Sequence, residues 1–363
     1  MKSKIMAYGF TIILTGLFLI NLIIPDEEFT ISERRRLAEF PSFSISGLLS
    51  GEFCEKFNEY VVDQFFLRDL FRRIKAIGSY YLFKQKDNNG IYIIDENISK
   101  IEYPLNNKAV IQAVEKMNDI YMRYLSEKNV FYGVIPDKNY FLAKENGYLS
   151  MDYEKLLDIL RKNLVNMKYI DLFSILKLED YYRTDIHWRQ ENLLELADKI
   201  LESMVGDVRI EKNQYVQRHW YPFYGALYGH SALNIEPDEL IFLTNSVIEN
   251  SLVYDYETNT TTRVYVPEKL CSVDSYDVFL SGAKPILRIV NEQADDDKEL
   301  ILFRDSFGSS IAPLFLSEYK SVILVDLRYI SSDILGNYID FSKKQDVLFL
   351  YNTQLLNHGY LLK

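Results

Sequence analysis

Four consecutive apolar residues, Leu300 to Phe303, end abruptly at Arg304-Asp305-Ser306-Phe307-Gly308, after which residues 309–316 have a helical pattern. The apolar run predicts a buried strand and the break predicts a tight turn, so Ser306 is expected at a strand-to-helix junction. Hydrolases and acyltransferases place a nucleophilic serine at such a turn, because it exposes the hydroxyl at the carboxyl end of the strand. The following helix would offer backbone N–H groups and its positive dipole end to a developing oxyanion.

A serine nucleophile needs a base and an acid that orients the base, and the segment Thr184-Asp185-Ile186-His187-Trp188 contains a candidate for each. In an extended loop, residues i and i+2 project to the same side, so Asp185 can accept the Nδ1–H of His187 and leave Nε2 to take a proton from Ser306. Trp188 is then expected to shield the imidazole from water. Each pattern alone also fits a structural role, a surface Asp–His pair or a helix N-cap serine, and the residues alone leave both interpretations open.

Helical and strand-like segments alternate through most of the chain, which predicts a parallel sheet with helices on both faces. In such sheets, functional sites lie at the carboxyl ends of the strands. Residues 207–297 interrupt this alternation with short β-rich pieces and are expected to form an insertion beside the site.

The N-terminus contains a nearly continuous apolar run, residues 5–24, which is long enough to cross a bilayer as a helix. Lys2 and Lys4 precede the run and acidic residues follow it, so the positive-inside rule places residues 1–4 in the cytoplasm. An uncleaved signal anchor is therefore predicted, with a cleaved signal peptide as the alternative. The expected protein is single-pass, lies in the cell membrane and carries its folded domain outside the cytoplasm.

Residues 25–52 are predicted to form a juxtamembrane linker, whose basic cluster Arg34-Arg35-Arg36 is either solvated or in contact with lipid headgroups. The extracytoplasmic domain is predicted to span residues 53–363. Its first stretch, residues 53–82, has a broad apolar helical face that is expected to pack against the rest of the domain. Asn88-Asn89-Gly90 predicts a hairpin turn between residues 80–83 and 91–94.

Charge and residue types exclude several other classes of function. The formal net charge of −11 argues against a nucleic-acid or anionic-membrane partner, since either requires a basic surface. The two cysteines, Cys54 and Cys271, allow at most one bridge and are otherwise free thiols. No zinc-binding spacing is present and no third ligand accompanies Asp185 and His187, so neither a metal nor another cofactor is expected. Only four histidines occur in the chain, which leaves few alternatives to His187 as a base.

The motifs Asp185-Ile186-His187-Trp188 and Arg304-Asp305-Ser306-Phe307-Gly308 together resemble those of the DHHW protein family. That family is similar to the SGNH-hydrolase-like group that includes the periplasmic alginate O-acetylation proteins. Ile186 stands where the family motif has its first histidine, and His187 matches the histidine that acts in the wider group. The resemblance spans nearly the whole chain, and further segments agree with it: Glu33-Arg34-Arg35-Arg36-Leu37, Glu59 to Asp69, Tyr276 to Gly282, and Asp326-Leu327-Arg328-Tyr329.

This resemblance implies a three-layer α/β/α domain of SGNH-hydrolase type with Ser306 as nucleophile, His187 as base and Asp185 as the orienting acid. It also gives a set of candidate oxyanion or substrate contacts in addition to the Ser306 backbone N–H: Gly282, Asn291, Arg304, Trp188, Arg328 and Tyr329. Arg304 and Arg328 are interpreted either as ligands for a carboxylate or for Asp305, or as members of structural salt bridges.

The function implied by the resemblance is transfer of an acyl group, expected to be acetyl, to hydroxyls of a cell-surface polysaccharide through an acyl-serine intermediate. The expected partners are that polysaccharide and an integral-membrane acyl carrier. Two alternatives remain open: a polysaccharide O-acetylesterase with the same triad, and a catalytically silent polysaccharide-binding or assembly protein.

Overall fold

The computed structural model describes residues 2–30, 32–206, 209–294 and 297–363. Met1, at the start of the predicted cytoplasmic tail, and Asp207, at the start of the predicted insertion, lie outside these residues. The chain divides into two compact units, Met1–Asn89 with Tyr228–Ile235 and Gly90–Leu227 with Glu236–Lys363. The structure thus groups residues 53–89 with the N-terminal helix, whereas the sequence placed the start of the domain at residue 53. The predicted domain scheme itself stays a prediction.

The first unit begins with one long apolar helix, residues 4–23 of which are long and apolar enough to cross a membrane. This helix fits the predicted anchor. Two very short strands, three α-helices and a π-helical turn follow it in the described part of residues 25–89. The elements of this unit are α1 (Lys2–Ile23), β1 (Phe29–Thr30), β2 (Arg35–Arg36), α2 (Ile45–Ser50), α3 (Glu52–Asp63) and α4 (Arg68–Ile77).

The apolar face predicted within residues 53–82 is present, and several of its large side chains lie at the surface of this unit. Phe57, Leu70, Phe71, Ile74 and Ile77 are all exposed by 40% or more. Helical periodicity identifies an apolar face and does not say whether protein or another apolar phase covers it.

The second unit is built on an eight-stranded mixed sheet flanked by helices. Its elements are β3 (Ile91–Ile94), β4 (Asn97–Lys100), α5 (Asn107–Ile120), β5 (Asn129–Ile135), α6 (Lys138–Asn146), α7 (Tyr153–Asn163), β6 (Lys168–Ile170), α8 (Leu194–Val205), β7 (Val216–Phe223), α9 (Ala226–Ser231, which continues into the first unit), β8 (Asp238–Thr244), α10 (Ser246–Asn250), β9 (Leu252–Asp255), β10 (Thr260–Arg263), β11 (Ile286–Val290), β12 (Glu299–Arg304), α11 (Gly308–Ile311), β13 (Ser321–Val325), β14 (Gln345–Asn352) and α12 (Thr353–Asn357).

The strand order of the central sheet is β10-β9-β11-β13-β12-β14-β5-β6. The five strands from β13 to β6 are parallel, as the alternating pattern predicted. β11, β9 and β10 extend the sheet in antiparallel fashion. These three strands come from the predicted insertion, so that part of it belongs to the central sheet, whereas β7 and β8 form a separate hairpin.

Residues along β12 alternate between two hydrophobic cores, one on each face of the sheet. Leu300 and Leu302 contribute to the core that contains α8, and Ile301 and Phe303 contribute to the core that contains α5 and α7. Both faces are therefore covered, which is why the strand is apolar at consecutive positions instead of at every second one. This is the three-layer α/β/α arrangement expected from the sequence.

The hairpin predicted at Asn88-Asn89-Gly90 is wrong. β3 pairs instead with β4, and the turn between them is formed by Asp95 and Glu96, both with positive φ. Residues Gly78–Leu82 form a turn of π-helix and not a strand. Asp and Glu at a two-residue turn give a weaker local signal than Asn-Gly, so the sequence favoured the wrong site.

Candidate active site

Ser306 lies immediately after β12, on a turn that the neighbouring Asp305 holds in place. One carboxylate oxygen of Asp305 accepts the backbone N–H of Phe307 at 3.0 Å, and the other accepts that of Asn352 at 2.7 Å. Because Asn352 ends the adjacent strand β14, this carboxylate ties the serine turn to a second strand of the sheet. Burial raises the pKa of Asp305, and the charge of Arg328 and the two N–H groups oppose that shift.

Gly308 is required by the packing of the same turn. A Cβ atom at this position would lie 2.6 Å from the Cβ of Arg304 and 2.9 Å from its Cγ, closer than side-chain atoms approach. The α-helix that begins here, α11, has only four residues and continues as a 3₁₀-helix, Ala312–Ser317. The helix predicted for residues 309–316 is therefore present, with its second half in 3₁₀ geometry.

A buried lysine, Lys138, stabilises the loop that carries Asp185 and His187. The Nζ of Lys138 donates to three backbone carbonyl oxygens, those of Tyr182 at 2.8 Å, Arg183 at 2.8 Å and Asp185 at 3.2 Å. Burial lowers the pKa of Lys138 to about 7, and the carboxylates of Asp185 and Asp238 oppose this shift. Lys138 lies three residues after the end of strand β5, so a second element of the sheet positions the loop.

A second set of contacts holds the same loop from the side of β8. One carboxylate oxygen of Asp238 accepts both the backbone N–H and the hydroxyl of Thr184 at 2.7 Å. The backbone N–H of Gly225 donates to the Thr184 hydroxyl at 3.0 Å. A Cβ atom on Gly225 would lie 2.3 Å from the Thr184 carbonyl oxygen and 2.4 Å from the Cβ of Asp185, so only glycine fits here.

Asp185, His187 and Ser306 form one continuous chain of hydrogen bonds. Asp185 Oδ1 lies 2.6 Å from His187 Nδ1 and also accepts the backbone N–H of His187 at 2.9 Å. His187 Nε2 lies 2.7 Å from the Oγ of Ser306. Since an ionised carboxylate only accepts, Nδ1 carries the proton and Nε2 is left to accept the Ser306 hydroxyl. The second oxygen of Asp185 accepts the backbone N–H of Ala226 at 2.6 Å, which fixes the carboxylate plane.

Two aromatic rings pack against the imidazole. Tyr276 stacks on it with 3.9 Å between ring centroids and 8° between ring planes, and Phe307 lies on it with 4.9 Å between centroids. We had predicted from the sequence that Trp188 would shield the imidazole. The Trp188 indole instead donates from Nε1 to the Ser310 hydroxyl at 2.8 Å and to the Phe307 carbonyl at 3.2 Å. These hydrogen bonds stabilise the serine turn.

A cleft of about 230 Å³ opens at Ser306. Its walls combine polar side chains (Lys100, Glu102, Asp305, Arg328, Asn352, Gln354 and His358) with apolar ones (Ile186, Phe307, Leu355 and Leu361). The His187 side chain is only 8% exposed, so the base reaches this cleft chiefly through Ser306. The arrangement provides a hydroxyl hydrogen-bonded to a base beside a small cavity, which is the geometry that nucleophilic attack by serine requires.

The structure places the two candidate arginines around Asp326, at the end of β13. Arg328 makes a two-pronged contact with this carboxylate, at 2.9 Å from Nε and 2.6 Å from Nη2, and lines the cleft. Arg304 is fully buried, 3.5 Å from the same carboxylate, and donates to the Asp305 carbonyl at 3.3 Å. Both therefore lie in the salt bridges that the sequence offered as one interpretation. Tyr329 is half exposed and packs under the Arg328 guanidinium.

Two of the candidate oxyanion residues are not brought to Ser306. Asn291 follows β11, whose antiparallel direction places it beside Lys320, at the opposite edge of the sheet from the serine. The carboxyl-edge rule holds for parallel strands, and the sequence did not reveal that β11 runs the other way. Gly282 lies against the carboxylate of Asp277, with a φ of +88°, and does not line the cleft.

Lys138, Tyr276 and Gly225 were not among the candidate site residues. Each has a sequence signal in retrospect: a lysine shortly after a buried strand, a tyrosine inside one of the segments shared with the DHHW family, and a glycine in a turn. None of these signals reveals that the residue contacts the loop of residues 182–187, because the contacts join segments more than 35 residues apart.

Comparison with solved structures identifies proteins of similar fold. A DHHW family protein from Eubacterium siraeum is 20% identical, with 76% of this chain and 94% of that chain aligned at a TM-score of 0.62. Bacillus cereus PatB1 is 18% identical, with 74% and 97% aligned at a TM-score of 0.60. A second PatB1 structure, with a sulfonyl adduct, is 17% identical, with 73% and 95% aligned at a TM-score of 0.59. No protein-family model matches the chain, and no curated protein matches it significantly. The chain thus has the fold of a DHHW family protein and of PatB1.

Proposed function

We propose that this protein is a membrane-anchored serine O-acyltransferase that moves an acetyl group onto hydroxyls of a cell-surface polysaccharide. The observation that carries the proposal is the hydrogen-bonded chain from Asp185 through His187 to Ser306, which opens on a small cleft. The motifs shared with the DHHW family and the fold shared with one of its members support it. The anchor is proposed to be single-pass, with its N-terminus in the cytoplasm and the Ser306 cleft outside.

The chemistry divides into two transfers. In the first, Ser306 Oγ attacks the acetyl carbonyl carbon of the donor while its proton passes to His187 Nε2, and the leaving group then departs with that proton. In the second, an acceptor hydroxyl gives its proton to Nε2 and attacks the acetyl-serine, and Ser306 leaves and regains the proton. Asp185 stays ionised throughout and stabilises the imidazolium formed in each step.

The Ser306 backbone N–H is the proposed donor to the oxyanion of both tetrahedral intermediates. It is already in place at the end of β12, because Asp305 fixes the turn on either side of the serine. A donor that is positioned before reaction stabilises developing charge without the cost of reorganisation.

The size and lining of the cleft support a short acyl group and a hydroxylated acceptor. A cavity of about 230 Å³ is below the usual range of ~300–1,000 Å³ for drug-sized ligands, so it suits an acetyl group better than a fatty acyl chain. Lys100, Glu102 and Gln354 supply donors and acceptors at its walls, which match the hydroxyls of a sugar.

The test is covalent labelling of the full-length protein in detergent with an aryl sulfonyl fluoride, measured by intact mass. The sulfonyl adduct in the PatB1 structure shows that a protein of this fold accepts such a group. We expect wild type to gain one adduct. The control Ser126→Ala, which removes an exposed serine outside the cleft, should also gain one. Ser306→Ala and His187→Ala should gain none. An unlabelled wild type would contradict the proposal and favour a silent polysaccharide-binding protein.

A second assay separates transfer from hydrolysis. Unlabelled wild type is incubated with a chromogenic acetyl ester, with and without an oligosaccharide acceptor. The acetylated sugar is measured by mass spectrometry. Transfer predicts that acceptor is acetylated in wild type and not in Ser306→Ala. Release of acetate at the same rate with and without acceptor, and no acetylated sugar, would identify an esterase instead. In cells, unchanged polysaccharide acetylation in a Ser306→Ala strain would also contradict the proposal.

A further inference from the structure

Helix α4 is joined to the end of the apolar helix α1 by side-chain hydrogen bonds. The backbone N–H of Phe66, just before α4, donates to Asn21 Oδ1 at 2.8 Å. The hydroxyl of Tyr60, near the end of α3, donates to Asp26 Oδ1 at 2.9 Å. Asn21 lies in the last turn of α1 and Asp26 just beyond it, so these contacts hold the α3–α4 corner at the level where the span ends.

The charged and apolar faces of α4 are reversed relative to those of a helix on a water-soluble protein. Arg68 and Arg72 point inward, with side chains only 15% and 22% exposed, and both contact the Glu33 carboxylate, at 2.5 and 3.1 Å. Ala76 on the same side is completely buried. A helix that packs its charges inward does not use its apolar side to build a core.

The opposite side of α4 and the π-helical turn after it expose large apolar side chains. We call these residues the outward face. They share helical spacing, each is at least 44% exposed, and they are Leu67, Leu70, Phe71, Ile74, Ile77 and Leu82. An exposed, contiguous apolar patch of this kind marks an interaction surface.

The charge around the outward face differs in sign from that of the whole chain. Residues 68–86 contain six basic residues and one acidic residue, and without the inward-facing Arg68 and Arg72 their net charge is still +3, in a protein whose formal net charge is −11. Arg73, Lys75, Lys84 and Lys86 within this stretch are exposed. An apolar helix face flanked by basic residues is the composition of a helix that lies at an anionic membrane surface.

We propose that the outward face inserts into the headgroup region of an anionic lipid bilayer, beside the point where α1 enters it. The overall charge argued against an anionic membrane partner, but the local charge at this surface has the opposite sign. The hydrogen bonds at Asn21 and Asp26 place the face at membrane level, and the exposed cations would contact the lipid phosphates. This inference does not depend on the chemistry of Ser306.

The proposal is tested with a spin label on the full-length chain. Both native cysteines, Cys54 and Cys271, are exposed and are replaced by serine. The label is attached at Ile74→Cys or, as a control, at Glu154→Cys, an exposed position on α7. Each protein is placed at one copy per nanodisc, and accessibility to oxygen, which concentrates in lipid, is compared with accessibility to a water-soluble nickel complex.

We expect the oxygen-to-nickel ratio at residue 74 to be several-fold higher than at residue 154, and higher in nanodiscs containing phosphatidylglycerol than in those of phosphatidylcholine alone. Lys84→Glu with Lys86→Glu should lower the ratio at residue 74 in the anionic discs. Equal ratios at the two positions would overturn the proposal, and equal ratios in the two lipids would overturn the anionic preference. Shielding of residue 74 from both reagents would show that protein covers the face, which also overturns it.

Discussion

The ring of Tyr276 lies flat on the imidazole of His187, with 3.9 Å between their centroids, while its hydroxyl donates to Ser310 at 2.8 Å. One side chain thus both covers the proposed base and is itself held by the helix that follows the serine. The two contacts involve different atoms of Tyr276, so separate substitutions can distinguish them.

Tyr276→Leu removes the ring, and we expect the rate of Ser306 labelling to fall about tenfold, because an aromatic stack contributes ~1 kcal/mol and also keeps water from the imidazole. Tyr276→Phe retains the ring and loses only the hydroxyl, and Trp188 still donates to Ser310. Its labelling rate should stay within about threefold of wild type. The measurement is the labelling rate constant of each variant, with its melting temperature as a control for folding. Equal losses in the two would show that the hydroxyl is what counts.

Asp185→Asn should lower the labelling rate by roughly 10³- to 10⁴-fold, as expected when the acid of a triad becomes an amide. The amide has one acceptor oxygen, whereas Asp185 accepts from His187 on one oxygen and from Ala226 on the other. Either the imidazole adopts the wrong tautomer or the Ala226 N–H faces an NH₂ group. Asp158→Asn makes the same chemical change on an exposed helix residue and should leave the rate unchanged. A loss below about tenfold in Asp185→Asn would argue for a structural Asp–His pair.

Gly225→Ala should both destabilise the protein, by about 3 kcal/mol, and abolish labelling, because the new methyl group would overlap the backbone of Thr184 and displace Asp185. Gly336→Ala is the matched control, since a methyl group there would meet its first neighbour, a ring carbon of Tyr124, at an ordinary 3.5 Å. Denaturant unfolding and probe labelling are measured on both. A Gly225→Ala protein with wild-type stability and labelling would show that the loop tolerates displacement.

Lys138→Met should slow labelling, because the loop carbonyl groups lose the side chain that donates to them. Its effect on stability should depend on pH. Burial lowers the folded-state pKa from 10.5 to about 7, so between these values the unfolded chain binds the proton more strongly. Wild-type stability, relative to the variant, therefore rises as the pH increases from 7 towards 10.5 and is constant below 7.

Between pH 7 and pH 9 this difference amounts to about 2–3 kcal/mol. It is measured as the change in unfolding free energy of wild type minus Lys138→Met, by denaturant titration at the two pH values. If the difference does not change with pH, the lysine has the same charge in the folded and the unfolded protein over that range.

The sequence placed Ser306, Asp185 and His187 because local rules were sufficient for each. An apolar run fixed the end of the strand, and the i, i+2 spacing fixed the side on which the Asp and His project. The position of Asn291, away from Ser306, could not be predicted from the sequence, because strand direction depends on pairing over the whole sheet and not on the residues of β11. Lys138 and Tyr276 were missed because their contacts with the His187 loop are made between distant segments.

The face of α4 shows a different limit. Its periodicity was recognised, but a repeat of apolar residues is the same whether the face meets a protein core or a lipid surface. Only the inward position of Arg68 and Arg72 distinguishes the two, and that depends on the Glu33 carboxylate from outside the helix.

The order of strands in the central sheet has a consequence for biogenesis. β14 is the last strand of the chain, yet it lies between β12, which ends at Ser306, and β5, which ends beside Lys138. The two halves of the sheet are therefore joined only when residues 345–352 have left the ribosome. Until then β12, which ends at Ser306, and β5, which precedes Lys138, have no strand pairing between them.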